Sequence, residues 1–585
     1  MKKMKGGRGV SNSQQQAPIR LDGKQWQALE TARNRLLAAG VLFFFAFVVV
    51  IGRLVDLAAF NGDSGFHQLA QLPPAPVIRG DIVDRNGVLL ASSLPTASLY
   101  ADPQEIIDPK AATAALASVF PTLDRQHLLG KLSGERRFVW IRRNLTPEEQ
   151  YAVNRLGIPG LGFRTERHRV YPHGRLAAHV LGATDPDERG TAGIEKTFDG
   201  MLSDGEALRL SLDIRIQHIV REELVAAVEE FRAIGGAGLV LDVHSGEVIA
   251  MVSSPDFDPN VPGDSTEESR FNAVTKGVFE MGSVFKLFTA AMALDSNVTT
   301  LDGGYDASKP LRVARYTIRD YHPQRRWLSV PEILVRSSNI GAALMALDVG
   351  SDRQRAYLGN FGMLTPASIE LPEIGEPQLP PNWGEVYSMT VAFGHGIAVT
   401  PLQLASGVAA IVNGGVLLQP TMLRRADGQA AEGHRVISSR TSRQMRSMMR
   451  LVVEHGTGSK ANVAGYRVGG KTGTAEKDVG GHYETGKLRS SFLGAFPMDA
   501  PRYIVFAMLD EPKGNARTYN YATGGWVAAP VVGGIIERMG PLLGMRPVDN
   551  DPMPPLPAAM PDRERVSMAI QRAVAQARDI RVAPN

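Results

Sequence analysis

Leu36–Gly52 (LLAAGVLFFFAFVVVIG) runs for 17 residues with no charged side chain. A helix this apolar on every side has no polar face to turn to water. It would span roughly 25 Å, and Arg53 with Leu54, Val55 and Leu57 extends it toward the ~30 Å of a hydrocarbon core. Lys2, Lys3, Lys5, Arg8, Arg20, Lys24, Arg33 and Arg35 precede it, against Asp22 and Glu30. The positive-inside rule therefore keeps the N-terminus in the cytoplasm and exports the chain beyond residue 60. The run exceeds the about 7–15 apolar residues of a cleaved signal peptide, and Val55–Ala59 makes a poor cleavage site. The expected arrangement is a cytoplasmic tail over 1–35 and an uncleaved, single-pass anchor helix over 36–60.

The rest of the 585 residues must fold outside the membrane as more than one domain. Cysteine is absent, which removes disulfides, thiolate metal sites and cysteine nucleophiles. The 12 histidines show no ligand spacing, so neither metal nor other cofactor is expected. A net charge of +4 is too small an excess to mark a nucleic-acid partner.

Gln71–Pro76 reads as a stiff, extended connector. Arg79–Leu90 (RGDIVDRNGVLL) reads as strand, Asn-Gly turn, strand. Lys110–Phe120 and Thr146–Leu156 look helical, and residues 61–210 carry no chemical motif. Ile214–Phe231 has helical apolar spacing, ended by the breaker Gly235–Gly236. Gly238–Val252 is a hairpin around His244–Gly246. Two late apolar runs, Ser491–Phe496 and Tyr503–Leu509, suggest an α+β domain over 211–545 whose sheet joins its first and last segments. A Pro-rich stretch, Asp551–Pro561, and a short amphipathic helix, Arg563–Arg578, fill a tail over 546–585.

Ser283-Val284-Phe285-Lys286 opens an apolar helical run. Positions i and i+3 share a helix face, so hydroxyl and amine can meet. A desolvated lysine beside another cation loses its proton and can serve as base to a serine. Ser337-Ser338-Asn339 is by itself indistinguishable from a helix N-cap. Lys471-Thr472-Gly473-Thr474 by itself is a polar loop. In this order the three clusters fit the S-x-x-K, S-x-N, K-T-G set of penicillin-recognising serine enzymes. Gly465–Thr472 also matches G-x-x-x-x-G-K-T, a phosphate-cradling loop, which makes a P-loop ATPase the remote alternative. Its flanks suit that poorly: Ala461–Val468 is a mediocre strand, and Lys477–Gly481 would continue a helix badly.

On these residues the chain resembles the class B penicillin-binding proteins, most similarly the division-type (FtsI-like) peptidoglycan D,D-transpeptidases. Further points of likeness are Arg79–Gly87, Tyr171-Pro172 with Gly174, Gly193-Ile194-Glu195, Asp213 with Gln217, Asp256–Asn260, Val391–Thr400, His455–Gly458, and Gly524-Gly525 with Ala528–Pro530. Asn339 favours the division-type branch, because elongation-type relatives usually carry Asp there. The resemblance implies an elongated mixed pedestal domain over 61–210 and a transpeptidase domain with a helix-flanked antiparallel sheet over 211–545. It implies an inner-membrane protein with a periplasmic catalytic domain, with stem pentapeptides and lipid-linked precursor as substrates. It also implies β-lactams as covalent inhibitors and an FtsW-type glycan polymerase among its division partners. Ser283 would attack D-Ala-D-Ala with Lys286 as base, and the N–H groups of Ser283 and Thr474 would form the oxyanion hole. Ser337 would pass a proton to the leaving amine. Asn339 would bind the donor amide and help hold Lys286. Lys471, Thr472 and Thr474 would receive the carboxylate, and Gly473 would let the peptide approach the strand. A catalytically silent β-lactam-binding scaffold or sensor is the alternative of another class.

Overall fold

The computed structural model describes residues 23–56, 77–313, 316–426, 428–479 and 482–548. The connector at 71–76, the Pro-rich stretch, the helix expected at 563–578 and most of the N-terminal tail lie outside them. Gly23–Val55 is one helix, α1. Its Glu30–Val55 stretch has 26 residues and none of its apolar window is buried. At 1.5 Å per residue it is about 39 Å long, enough to cross a bilayer. It starts earlier than the apolar run because the basic Arg33 and Arg35 continue the same helix.

After the anchor, β1 (Ile82–Val83) turns into β2 (Leu89–Ala101). The Asp84 carboxylate accepts the N–H groups of Asn86 (2.7 Å) and Val88 (2.9 Å), and Gly87 takes φ +87°, which closes the turn. β2 pairs antiparallel with β3 (Val139–Leu145) and β4 (Leu161–Val170), and β1 pairs parallel with β5 (Leu208–Arg209). Helices α2 (Pro109–Val119), α3 (Arg125–Leu132) and α4 (Pro147–Asn154) are capped by Asp108, Asp124 and Thr146. They close a small core around Leu99, Leu116, Phe120 and Leu145.

Polar side chains brace the pedestal-type segment internally and join it to the larger α+β body. Arg79 and Arg169 both bond the buried Glu195 carboxylate, each at 2.7 Å. Asn86 Nδ2 donates to Asp213 Oδ2 at 3.0 Å, and Asp213 caps α5 (Ile214–Glu230). Asn260 brackets the Tyr171 backbone, accepting its N–H at 2.9 Å and donating to its carbonyl at 3.0 Å.

The body is built on one five-stranded sheet in the order β8–β9–β10–β6–β7. Its strands are β6 (Gly235–Asp242), β7 (Val248–Ser254), β8 (Gly469–Val479), β9 (His482–Phe496) and β10 (Tyr503–Asp510), antiparallel throughout. The first and last segments of the domain thus meet at β6 and β10. Alternate residues bury both faces. Leu239, Leu241 and Phe506 enter the core shared with α6 (Lys286–Asp295), α7 (Val330–Arg336), α8 (Asn339–Val349), α9 (Pro401–Val412) and α10 (Ser439–His455). Val240, Val505 and Ala507 face α5 and α11 (Ala529–Leu542).

Gly235-Gly236 is not only the break after α5; the two glycines begin β6. A Cβ on Gly236 would lie 2.9 Å from both Leu224 Cδ1 and Met508 O, so glycine is what lets α5 lie against the strand. The two cores leave β8 as the edge strand, with a free side along which the site is built.

Candidate active site

Ser283 lies on a single tight 3-10 turn, Gly282–Phe285, that feeds α6, and Lys286 is the first residue of α6. The turn is pinned from both sides. Phe285 and Phe288 are fully buried, and their rings continue edge-on to Phe361 at 5.4 and 5.1 Å between centroids. Gly282 has φ +52°, and a Cβ there would lie 2.6 Å from the Thr474 carbonyl oxygen. The turn therefore rests directly on the β8 backbone, and Lys286 Nζ stands 3.0 Å from Ser283 Oγ.

Ser337 is not a helix N-cap. It closes α7 in a left-handed conformation, φ 55° and ψ 44°; Ser338 is the N-cap of α8, accepting from Gly341 N at 3.0 Å. The reversal between α7 and α8 aims both polar ends of Ser337 at α6. Lys286 Nζ donates to Ser337 O at 2.6 Å and to Asn339 Oδ1 at 2.7 Å, and lies 3.2 Å from Ser337 Oγ. Asn339 Nδ2 donates to Arg319 O at 3.0 Å, which fixes the amide with its oxygen toward the lysine.

Lys471 lies within β8 and not in a loop that opens a helix, so the G-x-x-x-x-G-K-T match forms no phosphate cradle. Its side chain is fully buried, and its Nζ donates to Ser337 Oγ at 2.9 Å. Ser337 Oγ thus touches both lysines. Thr472 Oγ1 shares a 2.7 Å hydrogen bond with Thr457 Oγ1, and Thr474 Oγ1 accepts Gly524 N–H at 3.1 Å. Gly473 has a cause that the sequence did not suggest. A Cβ there would overlap Ser491 Oγ and lie 2.7 Å from Met281 O and 3.1 Å from Val284 Cγ2. The glycine makes room for the protein's own serine-bearing turn.

Burial sets the electrostatics. Desolvation, then the positive charge of Lys471, drives the Lys286 amine well below the ordinary lysine range, while the Asp320 carboxylate pulls the other way. Desolvation alone takes Lys471 down to about 7. His395 is pushed down to about 4 by burial and by Lys286, so it is neutral near pH 7. Its ring lies 5.6 Å from Tyr483, whose hydroxyl donates to Glu280 at 3.0 Å. Sequence reasoning had placed His395 and Thr457 in segments of family likeness without giving either a task. It missed Asp320, Glu280 and Tyr483, which have no motif around them. Among the described residues no group of three His, Asp or Glu side chains is arranged to hold a metal ion.

An amine, two hydroxyls and an amide meeting beside a second buried lysine form an acyl-transfer constellation. The penicillin-binding protein transpeptidase domain model matches residues 236–537, and the penicillin-binding protein dimerisation domain model matches residues 74–206. The probable peptidoglycan D,D-transpeptidase FtsI of Caulobacter vibrioides is 42% identical over 482 residues, 80% of this chain and 82% of that protein. The peptidoglycan D,D-transpeptidase FtsI of Escherichia coli K12 is 31% identical over 551 residues, 87% of this chain and 92% of that protein. Among solved structures, penicillin-binding protein 3 of Mycobacterium tuberculosis, complexed with ampicillin, has a TM-score of 0.66 and 25% identity over 82% of this chain and 98% of that one. The chain belongs to the division-type (FtsI-like) class B penicillin-binding proteins.

Proposed function

We propose that the protein is a serine-type peptidoglycan D,D-transpeptidase that cross-links stem peptides at the division septum, with Ser283 as nucleophile and Lys286 as its base. The observation that carries this is the surroundings of Lys286 Nζ. A neutral amine has two N–H donors and one lone pair. Ser337 O and Asn339 Oδ1 accept only, and they hold the two closest positions, 2.6 and 2.7 Å. The lone pair is left for a hydroxyl proton, and Ser283 Oγ stands 3.0 Å away. Burial and the neighbouring cation favour that neutral form.

In this reading Ser283 Oγ adds to the carbonyl carbon of the penultimate D-Ala while its proton passes to Lys286 Nζ. The N–H groups of Ser283 and Thr474 receive the oxyanion; one such donor is worth about 2.7–4 kcal/mol. The closeness of Gly282 to the Thr474 backbone supports that pairing. As the intermediate collapses the D-Ala–D-Ala C–N bond breaks. The proton reaches the departing nitrogen through Ser337 Oγ, which touches both amines. Lys471, Thr472 and Thr474 take the terminal carboxylate, and Asn339 also meets the donor amide. The amine of a neighbouring stem then attacks the Ser283 ester, its proton goes to Lys286, and Ser283 Oγ is released protonated. A β-lactam enters the same first step, and its opened ring leaves the serine blocked.

The basic N-terminal flank supports a cytoplasmic N-terminus, with α1 in the inner membrane and the catalytic body in the periplasm. Lipid-linked precursor is then the substrate source. An FtsW-type glycan polymerase would bind through the anchor and pedestal.

Mass spectrometry of the penicillin-treated protein is expected to place the adduct on Ser283, and Ser283→Ala to remove it. Cross-linking of lipid-linked precursor in the presence of a polymerase should vanish in the same variant. An adduct elsewhere, or cross-linking that survives Ser283→Ala, overturns the assignment.

A further inference from the structure

Asp320 is buried, 7% exposed, and lies just past the strand Tyr316–Ile318. Among the described residues it has no ion-pair partner. Among the described residues its hydrogen bonds go to the N-cap and first turn of α8. Oδ2 accepts Ser338 O–H at 2.7 Å, and Oδ1 accepts the N–H groups of Asn339 at 2.6 Å and Ile340 at 3.0 Å. Backbone N–H groups are the partners a buried carboxylate needs, and this one sits at the positive end of α8. The residue before it supplies the carbonyl that orients the Asn339 amide. One short segment, Arg319-Asp320, therefore fixes both the backbone and the side chain of Asn339.

What it fixes is costly to hold. Ser337 has φ 55°, a left-handed conformation that costs a non-glycine residue about 1–3 kcal/mol and persists only where the surroundings over-determine it. The backbone carbonyl of that same residue takes one of the two N–H bonds of Lys286. Without the clamp on Ser338 and Asn339 the turn could relax, and Lys286 would lose both acceptors that aim its lone pair.

We propose that Asp320 is a positioning residue for the acylation step: it clamps the Ser337–Ser338–Asn339 turn whose acceptors aim the Lys286 lone pair at Ser283. Among the described residues, the charged and titratable groups facing Lys286 are Lys471 on β8, His395 after the helix Glu385–Val391, and Asp320. Burial first, then Lys471, disfavours the protonated amine, and Asp320 favours it. This deepens the reading of Lys286 as the base and rests on it.

The test is the acylation rate constant of the full-length protein with a fluorescent penicillin as a function of pH. Lys286→Ala comes first: loss of acylation keeps the base assignment, and a wild-type rate removes that assignment whatever Asp320 does. Asp320→Asn deletes the charge and weakens the clamp. Its plateau rate should fall about 10–100-fold, the scale of sub-ångström misplacement of a reacting group, and its acid limb should move to lower pH. Asp320→Glu keeps the charge with altered reach, so its plateau falls and its acid limb stays. Ser338→Ala removes one clamp bond and no charge, is mild enough to fold, and should lower the plateau with the limb unmoved. An acid limb unmoved in Asp320→Asn, or a wild-type plateau in Ser338→Ala, overturns the proposal.

Discussion

Gly473→Ala separates two reasons for a glycine beside the nucleophile. One is access for the substrate backbone; the other is the protein's own packing, which the structure favours. The added methyl would overlap Ser491 Oγ and lie 2.7 Å from Met281 O. Ser491 can turn its hydroxyl away, but the Met281 oxygen is backbone, two residues before Ser283. Ordinary contact begins at 3.4 Å, so the oxygen must recede by about 0.7 Å. Misplacement by 1 Å can cost about 100-fold in rate, so acylation should slow by about 10–30-fold, and overpacking should destabilise by about 1–3 kcal/mol. Stopped-flow acylation by a fluorescent penicillin separates initial binding from the covalent step. The variant should bind with near wild-type affinity and acylate slowly. The double variant Gly473→Ala/Ser491→Ala should regain melting temperature but not rate, because the backbone clash survives. A wild-type covalent rate with weakened initial binding would refute the packing explanation and restore the access one.

Two other outcomes follow from buried charge. Arg79→Ala leaves Glu195, fully buried, with only Arg169 to compensate it; breaking such a pair should cost about 3–5 kcal/mol, read as a lower melting temperature with acylation per folded molecule unchanged. Lys471 titrates near 7 when folded and near 10.4 when unfolded, so between those values only the unfolded chain holds the proton. Stability should therefore rise with pH in that window, by up to about 1.4 kcal/mol per pH unit for this proton, with the full cost present below about pH 7. Lys471→Met should flatten the melting-temperature slope between about pH 7.5 and 9.5; parallel slopes in variant and wild type would contradict the assigned shift.

The elements that period and punctuation reveal are those whose neighbours are local. Ile214–Phe231 reads as a helix because its apolar face repeats at helical spacing. The Gly238–Val252 hairpin reads as one because His244–Gly246 interrupts two apolar runs. Tyr503–Leu509 reads as a strand because it is apolar throughout, and burial on both faces is what leaves it no polar alternation. The left-handed Ser337 was hidden for the opposite reason. The turn that follows it is held by Asp320, 18 residues before Ser338, and serine in a turn most often caps a helix. The P-loop pattern was an accident of the same kind, since glycines that pack a strand edge spell the same letters as glycines that cradle a phosphate.

The candidate site divides along this line. Its reactive groups are legible, because a hydroxyl, an amine and an amide are properties of side-chain type and occur in short runs. Its geometry is set by approaches between distant backbones: Gly282 against Thr474, Gly473 against Met281, and Gly524 against the carbonyls of Gly473 and Ser491. In the sequence each of these appears only as a glycine, which says that something comes close but not what. A family of such sites can therefore share its polar letters while the rate of each member is tuned by which backbone segment fills the space beside the glycine. On that view the residues to vary in probing this enzyme are the partners of its glycines, Met281 and Ser491 first, before the lysines and serines whose roles their chemistry already restricts.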